Sequence, residues 1–199
     1  MTGSPAFAAE LRRKVFHLLT LLYLGAYELL GAERSLRWMA VWATLLAAVE
    51  FGRLVFPRVR ALFDAAFGPL IRPKEAARFT GAFYTTLGIL GTFLLFGDAP
   101  ILVRTGVLYL AFGDAAGAVV GVGWGRRRFL VLGQTRSVEG TAAGLATAAA
   151  CGWLVGLAPL PLAAGAAAFA LVDAIPLPPD DNLWIPILPT GAVWLAGGG

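Results

Sequence analysis

Charge is what this chain lacks most. Only 14% of its 199 residues are charged, against about 25% in a soluble domain. A soluble chain of this length must cover its surface with polar groups, whereas lipid-facing surface needs none. The shortage therefore points to a bilayer. Cysteine is nearly absent too. Cys151 is the only one, which excludes an intrachain disulfide and a cysteine-based metal site. It lies in an Ala/Gly-rich apolar run and reads as a small packing residue. His17 is the only histidine. No convincing small-residue cleavage site follows Arg12, Arg13 and Lys14, so a cleaved signal peptide is not expected. No repeat of fixed period is visible, and a single domain over residues 1–199 is expected. No basic stripe interleaves with aromatics, so the net charge of +4 is not read as a nucleic-acid surface.

What remains is strongly apolar: 58% hydrophobic residues and a mean hydropathy of +0.75. A spanning helix needs about 20 mostly apolar residues. Seven stretches approach this: 15–30, 38–56, 79–96, 101–122, 141–157, 160–175 and 183–196. The expected fold is all-α, a polytopic transmembrane bundle of about seven spans (six to eight). Breaks fall at Gly31 to Ser35, at Pro57 to Lys74 with a short interfacial helix around Phe63–Phe67, and at Asp98-Ala-Pro100. Further breaks are a polar Gly/Arg loop from Gly123 to Gly140, Ala158 to Pro161, and a Pro/Asp loop from Pro176 to Asn182.

With the N-terminus placed in the cytoplasm, thirteen of the sixteen basic residues gather on one side. Only Arg34, Arg37 and Arg104 fall on the other. The positive-inside bias supports that orientation, with a multi-pass chain and a cytoplasmic face rich in arginine.

Charged residues at a membrane boundary are costly, so each asks for a reason. Glu10, Lys14 and His17 share one helical face, and Arg13 and His17 are four apart. They form either a basic anchor or part of a site. Asp114 follows Gly113 among small residues late in the fourth span, where it can serve as a Mg²⁺ ligand or as a packing carboxylate paired to an arginine. The stretch Gly121-Val-Gly-Trp-Gly125-Arg126-Arg-Arg128 has no preceding strand and fails the context of a dinucleotide or P-loop motif. Its glycines and arginines, with Arg136, Ser137, Glu139 and Gly140 just before a helix start, nevertheless suit a polyphosphate. A loop rich in arginine for topology alone is the plainer reading. Asp181-Asn182 can cap the last span or ligate a cation. All four clusters map to the same membrane face. Together they supply acids for a metal, cations for phosphates and a base, which is the equipment of phosphoryl transfer.

These residues resemble a known family. Glu10…Arg13-Lys14…His17, Gly113-Asp114, the Gly/Arg loop, Arg136-Ser137-x-Glu139-Gly140 and Asp181-Asn182…Pro186 are similar, in order, to the motifs of the CTP-dependent lipid-alcohol kinases. That family includes dolichol kinase, phytol kinase and CTP-dependent diacylglycerol kinase, and is distantly similar to phosphatidate cytidylyltransferases. The resemblance implies an integral membrane enzyme that uses CTP and a divalent metal, Mg²⁺ or another divalent cation, to phosphorylate a lipid alcohol such as a polyprenol, dolichol, phytol, geranylgeraniol or diacylglycerol.

The resemblance implies that Gly113-Asp114 and Arg136-Ser137-x-Glu139-Gly140 bind the nucleotide phosphates and metal, with Asp181-Asn182 completing the site. On this frame catalysis is expected from Asp114, Arg136, Glu139 and His17, and metal binding from Asp114, Glu139 and Asp181. Nucleotide contacts are expected from Gly113, Lys14, Arg13, Gly121, Gly125, Arg126, Ser137, Gly140 and Asn182. Two departures stand out: Arg136 replaces the family's usual lysine, and Asp173 stands where a glutamate is usual. The competing readings are a cytidylyltransferase, which releases pyrophosphate, and a non-catalytic membrane protein or transporter.

Overall fold

A computed structural model describes residues 5–199. Residues 1–4 of the expected domain lie outside the described residues. The fold is mostly helical. Helix α1 (Pro5–His17) runs through a 3₁₀ turn into α2 (Leu21–Leu30), so the first apolar stretch is a helix with an irregular middle. Gly31, at φ +77°, ends it, a conformation that costs glycine little. The second stretch becomes α3 (Ala32–Val55). The segment after it becomes α4 (Pro57–Phe67), which buries none of its residues, as a helix lying on an interface would. Helix α5 (Gly81–Phe96) starts at Thr80, whose hydroxyl accepts from Phe83 N at 3.3 Å.

Helix α6 (Pro100–Leu108) begins with proline at its first position, where the missing N–H costs nothing. It passes through a wide π turn at Tyr109–Gly113 into α7 (Asp114–Trp124). Helices α8 (Val138–Leu154) and α9 (Pro159–Ala174) follow the expected fifth and sixth stretches. The seventh is broken into α10 (Asp181–Trp184) and α11 (Leu188–Leu195). Asp180, not the Asp181-Asn182 pair, caps α10 by accepting from Asn182 N at 3.1 Å.

The all-α expectation needs one correction. The Gly/Arg loop folds into a hairpin of β1 (Arg128–Val131) and β2 (Gln134–Ser137), paired antiparallel with Arg128 opposite Ser137 and Val131 opposite Gln134. Its two-residue turn puts Leu132 at φ +46° and Gly133 at +78°. Positive φ at both central residues matches the natural twist of a hairpin.

By length and hydropathy, Ala32–Val55 and the continuous Pro100–Trp124 are able to cross a membrane. Large apolar side chains stand exposed on several other helices as well. They include Leu22, Leu29, Leu94, Leu95, Trp153, Leu154, Leu160, Leu171 and Leu195. Apolar surface on this scale calls for a non-aqueous neighbour.

Glycine sets how closely the helices approach. A Cβ on Gly140 of α8 would lie 2.7 Å from the Gly117 carbonyl oxygen and 2.9 Å from Gly121 Cα. Helices α7 and α8 thus meet backbone to backbone, the packing that small residues spaced by four permit in membranes. The break between α10 and α11 is held the same way. A Cβ on Gly88 would fall 2.7 Å from the Asn182 carbonyl oxygen. Thr92 donates from Oγ1 to the Pro186 carbonyl at 3.1 Å, satisfying a group the break leaves free. The core is built by Ile89, Val103, Val107, Tyr109, Leu110, Ala148, Phe169 and Ile185.

Candidate active site

A cleft of about 540 Å³ opens where α1, α7, the hairpin and the start of α8 converge. It collects residues from far apart in the chain: Glu10, Lys14, Arg72, Asp114, Arg128, Arg136, Asp173 and Asp181. Four are acids and four are bases. The floor is Gly117, Ala118, Gly121 and Gly140, with Thr135, Ser137 and Thr141 at the hairpin side.

Local structure explains how each group arrives. Lys14 lies one turn before the end of α1 and forms a buried ion pair with Asp114 Oδ2. His17 Nε2 sits 3.4 Å from the same oxygen, with the Leu110 main chain of the π turn beside its ring. That turn ends at Asp114. Wide turns of this kind often occur at functional positions because they re-aim the next residue.

Arg136 leaves β2 to donate from Nη2 to Asp181 Oδ2 at 2.9 Å. Its Nη1 lies 3.8 Å from Asp173 Oδ1. Burial would raise the Asp181 carboxyl, but the charge and hydrogen bond of Arg136, with Arg72 and Lys14, outweigh it and hold Asp181 ionised. Its neighbour Asp180 goes the other way. Burial first, then the charge of Asp181, pushes it up to about 6.

Ser137 caps α8, its hydroxyl accepting from Gly140 N at 3.1 Å. The first turn of that helix therefore borders the cleft, with its positive dipole end toward any anion there.

A second network holds the far wall. Glu50 and Arg53 of α3 are both buried. Arg53 Nε donates to Glu50 Oε2 at 2.8 Å, and its Nη1 donates to the Glu75 carbonyl at 3.2 Å. Arg53 also donates to the Arg78 carbonyl, and the Thr80 hydroxyl donates to Glu50. The arginine over Phe63 completes the anchor, 5.1 Å from the ring centroid. This pair fixes the 72–80 segment, whose first residue is Arg72. Arg72 Nη1 in turn lies 4.0 Å from Asp180 Oδ2.

Among known proteins, a phytol kinase from Synechocystis sp. is 28% identical to the chain over 139 residues. The chain resembles a lipid-alcohol kinase. The aligned part is 67% of this chain and 53% of the relative, so the chain spans about half the length of the curated relative it matches. No family model and no solved structure matches it. The match supports the resemblance read from the motifs. With the two long apolar helices, it also supports association with a membrane.

Against the residues named from sequence, the structure brings Lys14, Asp114, Gly121, Arg136, Ser137, Gly140 and Asp181 to the cleft lining. His17 backs it through Asp114. Others stand beside it. Glu139 is half-buried outside the cleft lining, and its carboxylate accepts from the main-chain amides of Arg126 at 3.0 Å and Arg127 at 3.2 Å, tying the hairpin entry to α8. Arg126 is exposed, and Arg128, two residues on, reaches the lining instead. Arg13 pairs with Glu10. Gly113 gives room to the Phe169 ring, 2.8 Å from where a Cβ would be, and Gly125 gives room to Ser137. Asn182 donates from Nδ2 to Asp180 at 2.7 Å.

Arg72, Thr135 and the Glu50–Arg53 anchor were not singled out as site residues. The signal for the anchor was present: two opposite charges three apart inside an apolar span must satisfy each other.

Proposed function

We propose that this chain is a multi-pass membrane phosphotransferase, a single membrane-embedded catalytic domain. It transfers the γ-phosphoryl group of CTP to the hydroxyl of a membrane isoprenoid alcohol or diacylglycerol. The observation that carries the reading is the cleft itself. Asp114, Asp173 and Asp181 face Lys14, Arg72, Arg128 and Arg136 across a glycine floor, beside a capped helix N-terminus. That set favours a polyphosphate over a neutral ligand, and the phytol kinase relative supplies the acceptor class.

A seven-span arrangement with the N-terminus and cleft on the cytoplasmic side accounts for the exposed apolar helices and for the arginine bias. The lipid hydroxyl enters sideways from the bilayer. Its oxygen attacks the γ-phosphorus, the bond from that phosphorus to the β–γ bridging oxygen breaks, and CDP leaves. The hydroxyl proton passes to a cleft carboxylate or to His17. Arg136, Arg128 and Arg72 oppose the charge that builds on the phosphate oxygens.

Mg²⁺ suits the donors. It prefers one or two carboxylates plus phosphate oxygens and water, and Asp173 and Asp181 lie close enough to share Arg136. Among the described residues no three His, Cys, Asp or Glu side chains form a metal cluster on their own, so phosphate oxygens would complete the shell. When bound, the ion would neutralise charge on the β- and γ-phosphates.

A panel of lipid alcohols tested with CTP and with ATP, with analysis of both products, decides the matter. A phosphorylated alcohol plus CDP is expected. Pyrophosphate release would indicate a cytidylyltransferase, and no turnover with any pair would overturn the proposal.

A further inference from the structure

We infer that the open edge of β2 at Thr135 is the nucleobase subsite of this cleft. The inference rests on reading the cleft as a triphosphate site. It starts from three consecutive residues, Thr135, Arg136 and Ser137, all of which line the cleft. Successive side chains on a strand point to opposite faces. A space bordered by all three therefore lies off the strand's free edge and is not confined to one face of the hairpin.

The pairing register shows what that edge offers. Val138 N donates to the Arg127 carbonyl at 2.9 Å, just beyond the Arg128–Ser137 pair. Antiparallel pairs alternate between hydrogen-bonded and non-hydrogen-bonded. Counting inward, Ser137–Arg128 and Thr135–Leu130 are the non-hydrogen-bonded pairs, and the main-chain groups of Thr135 and Ser137 point away from β1. Ser137 is committed to starting α8. Thr135 is not. Among the described residues no group takes up its N–H, its carbonyl or its hydroxyl.

A main-chain N–H beside a carbonyl is a donor next to an acceptor. Its complement is a base edge with a ring-nitrogen acceptor beside an exocyclic amino donor. On the Watson–Crick edge cytosine and adenine present that pair, while uracil and guanine carry a ring N–H beside a carbonyl there. Strand edges bind ligands in this main-chain mode elsewhere, with the backbone supplying affinity. The placement is coherent: Arg136 follows Thr135 and Arg128 pairs with Ser137, so both phosphate-binding arginines lie between Thr135 and the start of α8. Base and phosphates would thus share the cleft that Thr135, Arg136 and Asp114 line.

The test measures binding of CTP, ATP, UTP, GTP and inorganic tripolyphosphate to the purified full chain, as wild type, Thr135→Pro and Thr135→Val. Proline removes an outward N–H without removing a ladder bond, which edge strands tolerate. Wild type should bind CTP and ATP at least about tenfold tighter than UTP, GTP or tripolyphosphate, the scale of one to two good hydrogen bonds. Thr135→Pro should erase that preference and leave tripolyphosphate affinity within about twofold, while Thr135→Val, which keeps both main-chain groups, should retain it.

Equal binding of all four nucleotides by wild type would overturn the subsite. So would an equal loss of nucleotide and tripolyphosphate in the proline variant. If wild type binds neither tripolyphosphate nor nucleotide, the triphosphate reading itself fails, a result distinct from tripolyphosphate binding without base preference.

Discussion

Lys14 and Asp114, one hundred residues apart in the chain, form a buried ion pair in the lining of the cleft. The contact ties α1 to α7 and places a cation against the carboxylate best positioned to meet a phosphate or a metal. Removing one member of such a pair strands the other in a poorly solvated site, at a cost of about 3–5 kcal/mol. Asp114→Asn is therefore expected to lower thermal stability in detergent and to reduce CTP-dependent lipid phosphorylation by about 100-fold or more. The double variant Lys14→Met with Asp114→Asn should recover part of the stability and none of the activity. Wild-type turnover by Asp114→Asn would remove it from the mechanism.

The Glu50–Arg53 anchor predicts a different pattern. Arg53→Met leaves Glu50 buried without its cation and frees the 72–80 segment from α3. Stability should fall by about 3–5 kcal/mol. Triphosphate affinity should fall as well, because Arg72 loses its support. Arg53→Lys should not restore either, since an ammonium cannot reproduce the directional bonds of a guanidinium to Glu50 and two carbonyls. Thermal unfolding and tripolyphosphate binding measure the two effects separately.

Close approach of α7 and α8 makes Gly140 intolerant of even one carbon. Gly140→Ala forces the helices apart and should destabilise by about 1–3 kcal/mol. Gly25→Ala, in a helix with nothing within 4 Å of the added Cβ, should be neutral or stabilise by up to about 1 kcal/mol. Matched unfolding curves for the two variants test whether the seam or glycine content in general matters.

Asp180 makes stability depend on pH in the metal-free protein. Its ordinary value of 3.8 rises to about 6 in the fold, so between those values the folded chain holds more protons than the unfolded one. Its contribution is fully present below about 3.8 and is lost as pH rises through about 6. Asp180→Asn keeps an acceptor for the α10 cap and should flatten the stability profile across that window. A profile unchanged by the substitution would assign the pH dependence elsewhere.

Much of this architecture was legible before folding, for reasons specific to the residues involved. Apolar runs bounded by Gly31, Pro57, Pro100 and Pro159 marked helices because those residues stop or start them. Lys14, Asp114, Arg136, Ser137 and Asp181 were legible because charge or capping chemistry in an apolar chain needs a purpose. The hairpin was not. Its strands are four residues each, too short for periodicity to register, and its turn carries Leu132 where asparagine or glycine usually signals one. Arg72 and Thr135 owe their positions to contacts across the fold, which local spacing does not encode. Glu139 and Arg126 carried the right chemistry, but the Glu139 carboxylate is taken up by the Arg126 and Arg127 amides and the Arg126 side chain is exposed.

The glycine seam also bears on how this cleft can change over generations. Its floor at Gly117, Gly121 and Gly140 is main chain, without side chains to exchange. A mutation there only adds bulk, so selection has little to work with at the bottom of the site. New preferences for a donor or an acceptor must arise at the rim, in the hairpin and in the segment that carries Arg72. Chemistry that can change by substitution and chemistry that cannot are thereby placed on different pieces of the same chain.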